Sequence, residues 1–377
     1  MDTNFKTPRY HNFNLSLQNE LFRNNVLTVT YSGQRGRDLL IYHDLNASPI
    51  GSPCTSPSSC NPFRPFASTF PDLQHVIQAS NNAHSQYDSL QASYNQRNWH
   101  GLDTQYNLTW SKCYDDNSVN RGGAGDYPQI NNVNPVGSTA PAVANFANSR
   151  GYCDHDVRLN FNIGGVYNIP QISHLGERLG KGFQISSIYT AIGGRPFSAL
   201  LSGTDGTGQG LIGNSIRAAW DGTPVRYDTR NPDHYVMEKY TNPGQADPCG
   251  NVSASGGSPL SPFYFPCSGV GNSRRNQLAG PGLSQWDMAL SKATKLTERL
   301  TVELRWEVYN LLNHGNFYYL PNNILSSCTA AVVNNVCQSV NGANFGQINE
   351  TSDVAAGNPV IAQGGPRNMN FVLKFKF

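Results

Sequence analysis

Eight cysteines are the residues with the most obvious chemistry in this sequence, and they fall into four pairs that are close along the chain. A structural zinc site needs tight CxxC-type spacing, which none of the pairs has. Segments rich in Ser, Pro, Asn and Gly surround the pairs, and this favours disulfide-closed loops in an oxidising compartment. Nearest-neighbour pairing is an expectation only, because the sequence leaves many pairings open. The expected disulfides are Cys54–Cys60, Cys113–Cys153, Cys249–Cys267 and Cys328–Cys337.

Two acidic motifs contain residue types that bind metal ions. In DHD, Asp154 and Asp156 flank His155. Adjacent residues of a strand point to opposite sides, so only the two carboxylates would share a side, and a polar strand end beside Cys153 is the better interpretation. YDDNSVN, residues 114–120, resembles the start of a calcium loop but lacks the glycine and the closing glutamate at the required offsets. No metal site is expected.

A glycine motif, GQGLIG at residues 208–213, matches the GxGxxG pattern, and Asp233 follows about twenty residues later. A dinucleotide site needs a strand before this motif and a helix after it, whereas here the surroundings are rich in Gly, Thr and Asp. We expect a flexible extracellular loop and no cofactor. The sequence has no GxSxG, HExxH or P-loop motif and its histidines are scattered, so no catalytic residue and no enzyme activity are expected.

The elements that carry these motifs are strands, because apolar residues recur with a period of two. The chain ends in MNFVLKFKF, where the apolar positions run to the last residue, and LTVELRWEV alternates in the same way. The pattern predicts about nine strands. Their approximate bounds are 10–21, 25–42, 84–98, 101–114, 153–168, 182–199, 283–295, 299–311 and 368–377.

Short and long connections alternate between these strands, and every cysteine lies in a long connection or at its rim. This alternation, with apolar-out and polar-in strands, is typical of an outer-membrane barrel with short periplasmic turns and long extracellular loops. Tyr31, Trp99, Trp110, Trp286 and Trp306 fit the aromatic girdles of such a barrel. The fold class expected is all-β, an antiparallel transmembrane barrel with disulfide-closed extracellular loops. The alternative is a secreted soluble β-sandwich with irregular insertions.

The polar face of the predicted strands carries charged residues that we expect to face the barrel lumen. Lys292 is assigned to the same face, and these side chains are expected to pair with one another or with a plug rather than act as acid and base. The expected lumen-facing charged residues are Glu303, Arg305, Glu307, Lys374 and Lys376.

Composition excludes several other classes of protein. Lys and Arg number 27 against 25 Asp and Glu, so no nucleic-acid partner is indicated. No apolar stretch is long enough for a transmembrane helix. The start after Met1 has no basic or apolar region of a signal peptide, although the cysteines indicate export. The simplest expectation is that N-terminal sequence is missing.

Several segments together resemble the C-terminal barrel of TonB-dependent outer-membrane receptors of the Oar-like type, which contain a carboxypeptidase-regulatory-like domain and a plug. The resemblance covers most of the predicted strands in the expected order. The segments are NLSLQNELFRNNVLTVTYSGQRGRDLL (14–40), YDSLQASYNQRNWHGLDTQYNLTWSKCYDD (87–116), DHDVRLNFNIGGVYNIP (154–170), GGRPFS (193–198), GPGLSQWDMALSKATKLTERLTVELRWEVYNLLNHGNF (280–317) and the final NMNFVLKFKF.

The resemblance implies a receptor or transporter in the bacterial outer membrane that contacts lipid and, through the plug, the TonB system. The plug and the first strands have no counterpart in this sequence, and a barrel of this family has about 22 strands. Residues 1–377 are therefore expected to be the C-terminal part of one barrel domain. The substrate, whether a small molecule, a glycan or a peptide, and the direction of transport stay open, as do the alternatives of a structural or adhesive barrel without transport.

The resemblance also implies a signal for the barrel-assembly machinery in the last strand. Such machinery commonly reads a terminal strand with a final aromatic residue, and this strand must close the sheet because unpaired backbone groups are costly in lipid. The expected signal residues are Phe371, Phe375 and Phe377.

Overall fold

A computed structural model describes most of the strands and part of the connections. The described residues are 5–49, 52–54, 56, 58–118, 150–203, 216–220, 222–236, 263–264, 271–317, 321, 324–328, 332–333, 336–337, 340–342, 345–355 and 364–377.

The main element is a ten-stranded sheet in which nine long strands follow one another in chain order, each antiparallel to its neighbours. This confirms the predicted number and order of the strands. They are β1 (Arg9–Phe22), β2 (Asn25–Asp44), β3 (Ile77–Trp99), β4 (Leu102–Asp115), β5 (Leu159–Asn168), β6 (Phe183–Ile192), β7 (Leu283–Lys295), β8 (Thr301–Tyr309) and β9 (Asn368–Lys376).

Smaller elements lie in the connections. Gly151–Tyr152 pairs with β4 as the tenth strand of the main sheet. A four-stranded sheet contains Ile216–Arg217, Leu200–Gly203, Ile324–Cys328 and Val340–Gly342, and three strand pairs are Ala219–Trp220 with Phe263–Tyr264, Pro196–Phe197 with Leu278–Ala279, and Val332–Val333 with Val336–Cys337. The short helices are Gly176–Gly180 and Ser352–Ala355, and single 3₁₀ turns cover Asn61–Phe63, Ser173–Leu175 and Pro232–His234.

The connections alternate in length as the sequence predicts. Two are as short as 23–24 and 100–101, and others extend over 45–76 and 193–282. At the first of these turns Asn24 adopts φ 64°, a left-handed conformation that Asn tolerates better than most residues. Because neighbouring strands are antiparallel, all the long connections leave the sheet at the same end. We call the folded parts of these connections the cap.

Three predicted strand bounds were wrong. The third strand begins at Ile77, earlier than position 84. The sequence did not reveal this start, because residues 77–83 are rich in polar side chains and show no sustained alternation. The predicted strand 153–168 begins only at Leu159, since the preceding residues form a turn. The predicted strand 182–199 ends at Ile192, where Gly194 packs so closely on the carbonyl of Gly280 that a side chain would not fit.

The buried apolar cluster lies in the cap and not on the sheet. Its large members include Phe197, Tyr235, Phe263 and Leu278, and Trp220 packs against them. The strands of the main sheet contribute little buried apolar surface, and many of their large apolar side chains are exposed. An apolar sheet face left open is typical of a surface that contacts lipid or a partner.

The sheet is open within the described residues, since β1 and β9 form its two edges and do not pair with each other. It is therefore only part of a barrel. None of the helices in the described part of the chain has the length and apolar character needed to cross a membrane.

Candidate functional site

One face of the sheet is polar from strand to strand. Ser93 of β3 lies opposite Asn107 of β4, and the two side chains share a hydrogen bond of 3.0 Å. Asn107 lies opposite Asn162 of β5, which in turn lies opposite Thr190 of β6. Side chains that are directly opposite point to the same side of an antiparallel sheet. A continuous row of amides and hydroxyls therefore crosses this face, which we call the polar face.

The other face is apolar, and its side chains are exposed. Leu304 of β8 lies opposite Leu373 of β9, and Trp306 lies opposite Phe371. Leu304 is 53% exposed and Phe371 is 76% exposed. The predicted girdle residues on this apolar face include Tyr31 and Trp110, which are 41% and 62% exposed. This surface has the character of a lipid-contacting barrel exterior.

The predicted lumen-facing charges occupy the polar face of β8 and β9. Glu303 lies directly opposite Lys374, and the Lys376 ammonium forms an ion pair with Glu303 at 2.6 Å. Along β8, Arg305 contacts Glu307 at 3.1 Å. Four of the five charges therefore form ion pairs within the sheet.

Lys292 was wrongly assigned to the polar face. It lies opposite Leu304 and is therefore on the apolar face. Its ammonium lies 4.9 Å from the centre of the Phe183 ring and bonds to the backbone carbonyl of Lys181 in the turn. A long lysine can cover an apolar surface with its stem while its charge reaches the polar edge of a membrane. The alternating pattern of β7 already placed this position with Trp286 and Met288, which the assignment overlooked.

A cavity of about 750 Å³ lies against the polar face of the sheet. Its wall includes polar-face side chains from β3 to β8. Gly164 lies in this wall, and a side chain there would meet open space. Charged groups of both signs line the cavity, and amide groups lie between them. The charged and amide residues of the wall are Asn95, Gln96, Arg97, Asp103, Gln105, Asp287, Arg305 and Glu307.

Two of the four predicted disulfides are present in the structure, Cys54–Cys60 and Cys113–Cys153. The first closes a turn in the connection after β2, and the second joins the end of β4 to the returning chain. Cys249 and Cys267 lie outside the described residues, and the structure describes the backbone alone at Cys328 and Cys337. His155 Nε2 lies 3.9 Å from Cys113 Sγ, but the two sulfurs of this group are bonded to each other and are not thiolate ligands.

The DHD motif is a turn and not the strand end that we expected. Asp156 is buried and accepts a hydrogen bond from the Cys113 amide at 2.7 Å, so it satisfies backbone at the end of β4. Asp154 is exposed and accepts from Asn276 at 2.6 Å. The two carboxylates thus accept hydrogen bonds from different partners. A short acidic side chain readily bonds to nearby amides in this way, in competition with strand pairing.

The acidic residues after Tyr114 have a role in holding the cap. Asp115 forms an ion pair with Arg275, and Asp116 accepts a 2.8 Å hydrogen bond from the His84 amide. These contacts connect β3 and β4 to the connection before β7. The GQGLIG motif at 208–213 lies outside the described residues.

The predicted assembly signal lies at the edge of the sheet. Phe371 and Phe375 belong to β9 and are exposed on the apolar face. Phe377 follows the last strand residue, Lys376, and is 96% exposed.

Sequence reasoning missed two polar sites in the cap. Asp44, at the end of β2, accepts hydrogen bonds from His75 and from the amides of Asn46 and Val76. Arg217 is buried in the connection between β6 and β7. Neither residue belongs to a sequence motif. The residues around each of them are distant in the chain and come together only when the connections fold.

A sheet with one exposed apolar face, one polar face and all its long connections at one end is the wall of a transmembrane β-barrel. The chain belongs to the outer membrane beta barrel domain family, whose model matches residues 1–369. It is accordingly a protein of the bacterial outer membrane, as the sequence predicted.

Two solved structures are similar to this chain at low sequence identity. The outer membrane transporter YddB from Escherichia coli is 13% identical, with a TM-score of 0.38 over 82% of this chain and 29% of that chain. FpvA of P. aeruginosa, solved with a heterologous pyoverdine and iron, is 9% identical, with a TM-score of 0.34 over 97% of this chain and 27% of that chain. The chain thus spans less than a third of the length of either protein. No curated protein sequence matches the chain.

Proposed function

We propose that the chain is part of the wall of a TonB-dependent transporter of the Oar-like type, and that its polar face lines the path of a substrate taken up or exported. The observation that carries this proposal is the polar face itself, with its cavity of about 750 Å³ and its charged wall. Membership of an outer-membrane barrel family supports an orientation of this face toward a lumen. The proposal gives the chain a transport role and no catalytic role.

The remaining strands and the plug are proposed to come from the N-terminal part of a larger barrel domain. The open edges at β1 and β9 support this. Each unpaired backbone group in lipid costs roughly several kcal/mol, and closing the barrel pairs these groups. In this arrangement the plug contacts TonB, and lipid covers the apolar face. Phe371, Phe375 and Phe377 then present the terminal strand to the barrel-assembly machinery.

An uptake experiment tests the transport role. Cells that produce the protein are offered an iron–siderophore complex, an oligosaccharide and a peptide, with and without TonB and with and without an uncoupler. We expect energy-dependent accumulation of at least one of these probes, lost when TonB is removed. Accumulation that is unchanged without TonB would indicate a passive pore, and accumulation of none of them would favour the structural or adhesive barrel.

A further inference from the structure

Arg217 is a buried cation inside the cap. Its residue is 6% exposed, it pairs with Leu200 in the small sheet, and the next residue, Ala218, belongs to the buried apolar cluster. Within the described part of the chain its guanidinium has no hydrogen bond and no ion pair. A buried charge without a partner is strongly unfavourable, so proteins normally supply one.

The positive charge of Arg275 makes the position of Arg217 more costly. Burial, together with the positive charge of Arg275, lowers the pKa of Arg217 to about 10. Arg275 already has its own partners, namely Asp115, Asp154 at 3.5 Å and the Ser118 hydroxyl at 3.1 Å. Among the residues that the structure describes, Asp115 and Asp154 therefore serve Arg275, and no carboxylate pairs with Arg217.

A second unpartnered donor lies in the segment that packs against Arg217. The Ser273 hydroxyl is buried and has no hydrogen-bond partner among the described residues, while the Ser273 amide donates to the carbonyl of Ala218 at 3.2 Å. Gly271 brings this segment close, since a Cβ there would overlap the carbonyl oxygens of Arg217 and Ala218. The two unsatisfied donors thus belong to adjoining backbone segments that pack in direct contact.

We propose that Arg217, together with the Ser273 hydroxyl, binds an anionic group, a carboxylate or a phosphate, of the ligand that reaches the cap. A guanidinium binds either oxyanion through two parallel hydrogen bonds, and a nearby hydroxyl adds a third donor. The cap lies at one end of the sheet, where the long connections leave the strands, and the polar face starts beside it. The site therefore assigns the substrate of the proposed transporter to the class of organic anions, an assignment that rests on the proposed function.

Calorimetric titration of the full chain, purified in detergent, tests the site with citrate and inorganic phosphate at constant ionic strength. We expect at least one of the two anions to bind, and glucose not to bind. Arg217→Gln should weaken binding by about tenfold or more, the usual effect of losing a charged hydrogen-bond donor. Arg226→Gln is the matched control, because it removes an exposed arginine from the same connection and should leave the affinity unchanged.

A second variant keeps the test decisive if Arg217→Gln fails to fold. Ser273→Ala removes a hydroxyl that has no partner in the described part of the chain, so the protein should fold normally and bind the same anion more weakly. The proposal is overturned if neither anion binds the natural protein, or if both variants bind it as well as the Arg226→Gln control. Binding to purified protein does not need TonB, so a failure here is distinct from a failure of the uptake experiment.

Discussion

Trp306 and Phe371 lie directly opposite each other on β8 and β9, and their rings stack with planes 12° apart and centroids 6.3 Å apart. Both rings project from the apolar face, so the pair joins β9 to β8 on the exposed apolar side of the sheet. Aromatic pairs of this kind contribute about 0.5–1.5 kcal/mol beyond the area they bury.

A double-mutant cycle measures this contact. Trp306→Ala and Phe371→Ala, alone and combined, should give a coupling of about 0.5–1.5 kcal/mol in the free energy of unfolding from lipid vesicles. Trp306→Ala with Phe375→Ala is the control pair, since Phe375 lies opposite Val302 and not opposite Trp306. Equal coupling in the two cycles would contradict a specific contact.

The apolar face should reject a charge at mid-strand. Leu304→Arg places a guanidinium among exposed apolar side chains and is expected to cost about 2–4 kcal/mol in unfolding free energy if the position is near the membrane centre. Asn162→Arg is the control, because Asn162 lies on the polar face between Asn107 and Thr190. The assignment of the two faces is wrong if both substitutions have the same cost.

The sheet could be predicted from the sequence because a period of two is a local signal that each strand carries by itself. LTVELRWEV placed Glu303 and Leu304 on opposite faces, and the pairing of β8 with β9 confirms this. The prediction was wrong at Lys292, where a charged residue at an apolar position was assigned by its type and not by its spacing. Residue type is a weaker guide there, since a lysine near a strand end can extend to the membrane edge.

The cap could not be predicted in the same way, because its contacts join residues that are distant in the chain and follow no period. Arg275, in the connection before β7, pairs with Asp115 at the end of β4. Ser273 lies beside Ala218 because Gly271 allows a close approach of the two segments. The cysteine spacing was the one local signal, and it correctly indicated the pairs 54–60 and 113–153.

The two described disulfides should stabilise the protein unequally. Cys113–Cys153 spans a sequence separation of 40 and Cys54–Cys60 one of 6. In the chain-entropy account these loops correspond to about 4 and about 2 kcal/mol. Replacing both Cys113 and Cys153 by Ser should therefore lower the free energy of unfolding more than replacing both Cys54 and Cys60 by Ser. The reverse order would show that strain or residual structure outweighs loop entropy.

Asp44 fixes the connection after β2 through four groups. Its carboxylate accepts from His75 Nδ1 at 2.7 Å, from the Asn46 amide at 2.9 Å and from the Val76 amide at 3.0 Å, and Arg64 lies 3.8 Å away. Burial by itself would raise the pKa of Asp44, but the hydrogen bonds from His75 and the two amides outweigh it and hold the pKa below its usual value.

Because the folded protein lowers this pKa, Asp44 stabilises the connection at every pH above its unfolded value of about 3.9, and the contribution is lost as the pH falls through the lower folded value. We expect the Asn46 and Val76 amides to be protected from hydrogen exchange at pH 7 and to lose protection in strong acid, after correction for the intrinsic exchange rate. Asp44→Asn should reduce protection at pH 7 and remove the acid step. Asp72→Asn, an exposed acid in the same connection, should change neither, and an acid step that survives in Asp44→Asn would assign the effect to another group.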